Sequence, residues 1–133
     1  METMTFSRVA ILEKFLELGR SRDMTELELL VTEDIRINEA QSLPFGGEYV
    51  GWAGYLDVTE KFFGKMRSVR LELLDTWDGP RCSLVAHFVL NAISKRTQQK
   101  ITMPLLEIWE FEGDKVSAIT PFYLDTHLLS ELL

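Results

Sequence analysis

One cysteine, two histidines and four prolines in 133 residues leave this chain few covalent staples, metal clamps or breaks. Cys82 alone cannot close an internal disulfide, so the fold is independent of redox state and a reducing compartment is expected. His87 and His127 lie far apart in sequence, no HExxH stretch exists and no His/Cys/Asp group has ligand spacing, so no metal is predicted. The glycines of FGGEYVGWAG fit neither a dinucleotide fingerprint nor a phosphate loop; they suit loop geometry beneath a helix start, and no cofactor is implied. Positive charge is in deficit. The 14 Lys and Arg are scattered among 21 Asp and Glu for a net charge of -7, which would repel a phosphate backbone and argues against nucleic-acid binding. The opening METMTFSRVAILEKF lacks a basic leader with a cleavage site, and no window reaches the length of a membrane span. A soluble, cytoplasmic protein with no membrane partner is the expectation. With no repeat, low-complexity tract or Pro/Gly/Ser-rich linker, residues 1–133 read as one domain.

What the chain does have is apolar side chains, 46% of the total with 11% aromatic, enough for a real core. Phe6, Val9, Ala10, Leu12, Phe15 and Leu16 fall on one helical face, with Gly19 as a stop after Leu18. TELELL places Thr25 three positions before Glu28, a capping box for a short second helix. A strand at 35–39 and a loop precede a third, aromatic-rich helix carrying Trp52, Tyr55, Leu56, Thr59, Phe62, Phe63 and Met66. From Val69 the apolar period becomes two, up to the turn WDGPR. Strands at 83–93, 101–111 and 116–123 follow, separated by SKRTQQK and the tight turn EGDK. The tail THLLSELL suits a short helix or a strand end. Helices first and a strand meander after them predict an α+β domain with helices on one face of a curved antiparallel sheet.

Two carboxylates interrupt apolar faces. Glu39 continues the stripe of Ile35 and Ile37, and Glu107 continues that of Met103 and Leu105 towards Trp109. Glu39 is either a solvated rim residue or a group aimed into a cavity; Glu107 either faces a pocket or lies at an edge or dimer face. A carboxylate in apolar surroundings gains a raised pKa, which suits it to acid–base work near neutrality. His87, between Val85 and Val89, is either a hydrogen-bonded core residue or a proton partner for one of them. Tyr49, Trp52, Tyr55, Trp109, Phe122 and Tyr123 could line a cavity for a flat, mostly apolar ligand, with Trp109 and Tyr123 placed nearest the carboxylates. Asp125 reads as a cap for the tail and His127 as surface decoration.

The order of elements, the LPFGGEYVG loop, the WEFEGDKV hairpin and the FYLDT exit resemble the SnoaL-like branch of the nuclear-transport-factor-like (cystatin-like cone) superfamily, related to ketosteroid isomerases and polyketide cyclases. The resemblance covers nearly the whole chain. It implies a bent sheet forming a cone around about three helices, an internal apolar pocket, and homodimers through the outer sheet face. Long strands whose outer face carries Leu84, Phe88, Leu90, Leu106 and Ile108 would expose an apolar patch there, which a second copy is expected to cover. By comparison with ketosteroid isomerases, Glu39 in RINE stands where their general base lies, and Glu107 in LLEIWEF where their oxyanion-hole acid lies. Phe15 in EKFLEL stands where their donor tyrosine lies, so that hydroxyl is missing. The candidate catalytic residues are therefore Glu39 and Glu107, which the resemblance implies, with His87 from its strand position, and a small apolar or aromatic ligand is expected against Phe15, Tyr49, Trp52, Tyr55, Val85, Val89, Trp109 and Tyr123. Two functions follow: a cofactor-free isomerase, cyclase or lyase acting on a small hydrophobic carbonyl compound, or a non-catalytic ligand-binding or dimeric assembly module.

Overall fold

A computed structural model describes residues 7–133. Helix α1 (Arg8–Ser21) starts where the Ser7 hydroxyl accepts from the Ala10 N–H at 3.2 Å. It ends on Arg22 in the left-handed region at φ 58°, one turn beyond the expected stop at Gly19. Phe6, counted on the helical face, lies outside the described residues. In α2 (Met24–Glu28) the cap is Asp23, whose carboxylate accepts from Glu26 N–H at 3.2 Å, and not Thr25. A carboxylate two positions earlier satisfies the first free amides and favours the positive end of the helix.

The strands are β1 (Val31–Glu39), β2 (Gly47–Val50), β3 (Met66–Gly79), β4 (Ser83–Ser94), β5 (Lys100–Glu112) and β6 (Lys115–Tyr123). Helix α3 (Gly51–Gly64) follows β2 directly, and α4 (Thr126–Leu132) makes the tail helical. The order across the curved, unclosed sheet is β2-β1-β6-β5-β4-β3. It is mixed, which corrects the expectation of antiparallel pairing throughout: β1 runs parallel to β6, with Ile37 opposite Ile119. The meander leaves one edge of β6 free, and the Val116 N–H donates to Leu30 O at 2.8 Å, tying the starts of the two strands together. Part of the segment read as loop is also a strand, since Gly47–Val50 pairs with Arg36–Glu39. Gly46 sits where an added Cβ would collide with the carbonyl oxygens of Ala40 and Gln41, so this turn admits no side chain.

Strand alternation decides which face carries what. Leu84, Ala86, Phe88 and Leu90 of β4 are fully buried on the concave face with Met103, Leu105 and Trp109 of β5. Leu84, Phe88 and Leu90 are therefore core residues, not the outer patch expected of them; the even positions of β4 point under the helices and the odd ones outward. Phe15 of α1 closes the core edge-on against Trp109, with ring centroids 4.9 Å apart, and against Tyr55 at 5.7 Å. Such aromatic pairs stabilise by about 0.5–1.5 kcal/mol beyond their area burial.

Candidate functional site

Three neighbouring strands bring the polar groups together. Glu39 ends β1 on the face of the buried Ile35 and Ile37. Glu107 lies on β5 opposite Pro121 of β6, and Tyr123 of β6 is opposite Leu105 on the same face. With β6 alone between them, the backbones carrying the two carboxylates are about 10 Å apart, and their side chains share the concave face. Glu107 keeps accessible surface although Leu105 and Trp109, its neighbours on that face, are only 1% exposed.

The electrostatics follow from this placement. Burial is the main cause that pushes Glu39 from the ordinary 4.5 to about 8; the nearby Glu107 charge adds to the rise and the Tyr123 hydroxyl offsets part of it. Burial likewise lifts Glu107 to about 7, opposed by the Trp109 indole N–H, which donates to Oε1 at 2.9 Å. Oε1 of Glu39 is buried with no hydrogen-bond partner. Burial raises the Tyr55 hydroxyl to about 12, with a Thr59 hydrogen bond opposing and Glu107 adding to the rise. Tyr123 is pushed well above the usual phenol range, first by burial and then by the charges of Glu39 and Glu107. A hollow of about 330 Å³ opens beside Glu39, lined by Asn38, Glu39, Ala40, Gln41, Thr120, Pro121, Phe122, Tyr123 and Thr126.

The remaining expected site residues divide sharply. Phe15, Tyr55 and Trp109 meet in the core beside the carboxylates, and Trp52 stacks on Tyr55 at 5.1 Å. The Tyr49 hydroxyl is occupied with the Phe45 carbonyl at 3.0 Å, and Lys61 lies over its ring, so Tyr49 supports the β2–α3 junction. His87, Val85 and Val89 are corrections. They occupy odd positions of β4 on the outer face, where His87 is opposite Leu106 and Asp75 and stacks on Trp77 at 6.2 Å. The sheet itself separates them from the concave-face carboxylates. Asp125 caps α4 by accepting from Leu128 N–H at 2.9 Å, and His127 pairs with Glu131 on the surface, as read from the sequence. Sequence reasoning missed the Trp109–Glu107 hydrogen bond, whose signal is their i, i+2 spacing on one strand face. It also missed Gln41, Thr120 and Thr126 around the hollow, which no periodicity marks. Among the described residues no group of three or more His, Cys, Asp or Glu is placed to hold a metal ion, and no helix is long and apolar enough to cross a membrane.

Comparison with known proteins agrees with this architecture. The protein is similar in fold to TerC co-crystallised with polyporic acid, at 16% identity and a TM-score of 0.81 over 93% of this chain and 95% of that one. An NTF2-like protein of unknown function from Burkholderia pseudomallei K96243 matches at 12% identity and a TM-score of 0.81, again over 93% and 95%. A Catenulispora acidiphila protein with a ketosteroid isomerase-like fold, in complex with trimethylamine, matches at 12% identity and a TM-score of 0.74 over 97% and 96%. No curated protein matches the sequence significantly. The profile of the SnoaL-like domain matches residues 12–119, from the first core leucine of α1 to the middle of β6, and the chain belongs to the SnoaL-like family.

Proposed function

We propose that the protein is a cofactor-independent isomerase, cyclase or lyase that moves a proton on a small hydrophobic carbonyl compound through Glu39 and Glu107. The observation that carries this reading is the buried Oε1 of Glu39, which has no partner in the protein and lies beside a second desolvated carboxylate. An unsatisfied buried oxygen costs about 1–3 kcal/mol or more when charged, and such a cost is retained where a ligand supplies the missing partner. Two carboxyl groups raised to about 8 and about 7 exchange protons near neutral pH, as general acid–base catalysis requires. Phe15, Tyr55 and Trp109 provide the apolar walls that keep water from levelling them. A thermal-shift screen of small aromatic and alicyclic ketones tests this: a stabilising ketone that the wild type converts and Glu39→Gln binds without converting supports an enzyme. Equal binding with no conversion by the wild type favours the carrier reading.

The same proposal includes a homodimer through the outer sheet face. Trp77, Leu106 and Phe122 are 51%, 40% and 55% exposed there, around the half-buried Val85, Val89 and Ile108. These replace the inward-facing leucines as the apolar surface that a second copy would cover.

A further inference from the structure

We infer that the hollow beside Glu39 is a binding site for a small organic cation, a protonated amine carried on an apolar ring or chain. The inference goes beyond the ketone reaction and does not rest on it, since it needs only the hollow and the charge that Glu39 can carry.

The hollow lies where two parallel strands stop side by side. Glu39 is the last residue of β1 and Tyr123 the last of β6, so both faces of the sheet reach it: Thr120 and Phe122 come from the outer face, Glu39 and Tyr123 from the concave one. Its volume of about 330 Å³ falls at the small end of the range for ligand sites. The charge around it is one-sided. Among the described residues, Glu39 is the one carboxyl of the lining and no Lys, Arg or His lines it. The ion pairs of the described residues do not include Glu39, and the charge that acts on it is that of a second carboxylate, Glu107, which lies outside the hollow. Glu39 receives a hydrogen bond from the Tyr123 hydroxyl and none on Oε1, although a carboxylate can accept about four. An ionised Glu39 is therefore a buried charge without a counter-ion, and a ligand that brings the positive charge removes that cost. An anionic ligand meets the reverse: no cation receives it, and two carboxyls repel it in a chain of net charge -7.

The remaining lining suits the rest of such a ligand. Phe122 and Tyr123 bring aromatic side chains, which attract alkylammonium groups, and Pro121 and Ala40 add aliphatic surface for the apolar body. The Asn38 amide donates to Thr120 Oγ1 at 3.3 Å, which leaves Asn38 Oδ1 as an acceptor for a second ammonium N–H. Binding carries a proton out. Without a ligand Glu39 ionises near 8 and is mostly protonated at pH 7; an adjacent ammonium favours the carboxylate, so the Glu39 proton leaves to solvent as the cation arrives. Among the described residues, the titratable groups that act on Glu39 in this equilibrium are Glu107 from β5 and Tyr123 from β6.

The test compares probes of one shape and different charge: cyclohexylamine, which is cationic at pH 7, cyclohexanol and cyclohexanecarboxylate. Titration calorimetry in phosphate buffer gives the affinities, and a pH-stat at pH 7 counts the protons released. The expected result is saturable binding of cyclohexylammonium with release of roughly one proton per site, cyclohexanol weaker by roughly tenfold or more, and no binding of the carboxylate. Glu39→Gln should weaken the ammonium roughly tenfold to hundredfold and leave cyclohexanol unchanged. Cyclohexanol bound as tightly as the ammonium, ammonium binding without proton release, unchanged ammonium affinity in Glu39→Gln, or no ammonium binding by the wild type each overturns the inference. The proton count is read on the wild type, so it decides the matter even where the variant folds poorly. Every one of these failures leaves the ketone reading standing, because conversion of a neutral ketone needs no cation.

Discussion

Replacing Glu39 by glutamine should make the protein more stable in mild alkali, and the size of the gain can be worked from its surroundings. The carboxyl ionises near 4.5 in the unfolded chain and near 8 in the fold. Between those values the unfolded state has lost a proton that the native state keeps, so this group's contribution to stability is fully present below pH 4.5 and is lost as pH rises to about 8. At 1.36 kcal/mol per pH unit, the loss between about pH 5.5 and pH 8.5 is about 3 kcal/mol. Glutamine keeps the shape and the polarity without the proton. Urea unfolding of wild type and Glu39→Gln at those two pH values isolates the effect, because every other titrating group is common to both. The wild-type stability should fall by about 3 kcal/mol more than that of the variant across the interval. Parallel pH profiles would refute the reasoning, since they would mean that Glu39 is as well solvated in the fold as in the unfolded chain.

Further consequences can be measured on the same material. Trp109→Phe removes the donor on Glu107, so the Glu107 midpoint should rise above about 7 in a carboxyl titration. Asp125→Ala removes the α4 cap and should lower stability by about 1 kcal/mol, with faster amide exchange at Leu128. Gly46→Ala forces the turn between β1 and β2 away from the Ala40 and Gln41 carbonyls and should destabilise by about 1–3 kcal/mol in chemical unfolding. Leu106→Glu places a charge in the proposed dimer face, and light scattering should show a wild-type dimer become a monomer without loss of helical signal.

Much of this arrangement was legible in the sequence, and the failures have physical causes. Period-two alternation placed Glu39 and Glu107 on buried faces because both lie in strands whose other members are strongly apolar. The same alternation gives no absolute direction. On β4 both the even set, Leu84 to Leu90, and the odd set around Val85 and Val89 are apolar, so the choice of inner face rests on pairing with β5 and on the helices. His87 was assigned to the wrong side for that reason. The parallel β1–β6 pair was invisible because it joins segments far apart in the chain. Gly47–Val50 was hidden in a glycine-rich stretch whose strand character comes from pairing with β1, not from its own propensity. The hollow beside Glu39 is made by a loop and a helix start, where no periodicity reports direction.

The central claim is that two desolvated carboxyls share the concave face and titrate near neutrality. Carbon-13 NMR of protein labelled at the glutamate carboxyl carbons, titrated from about pH 3 to pH 10, measures it directly. Two resonances should have midpoints near 8 and 7, the first absent in Glu39→Gln and the second in Glu107→Gln. Midpoints in the ordinary range near 4.5 for every glutamate would contradict the account.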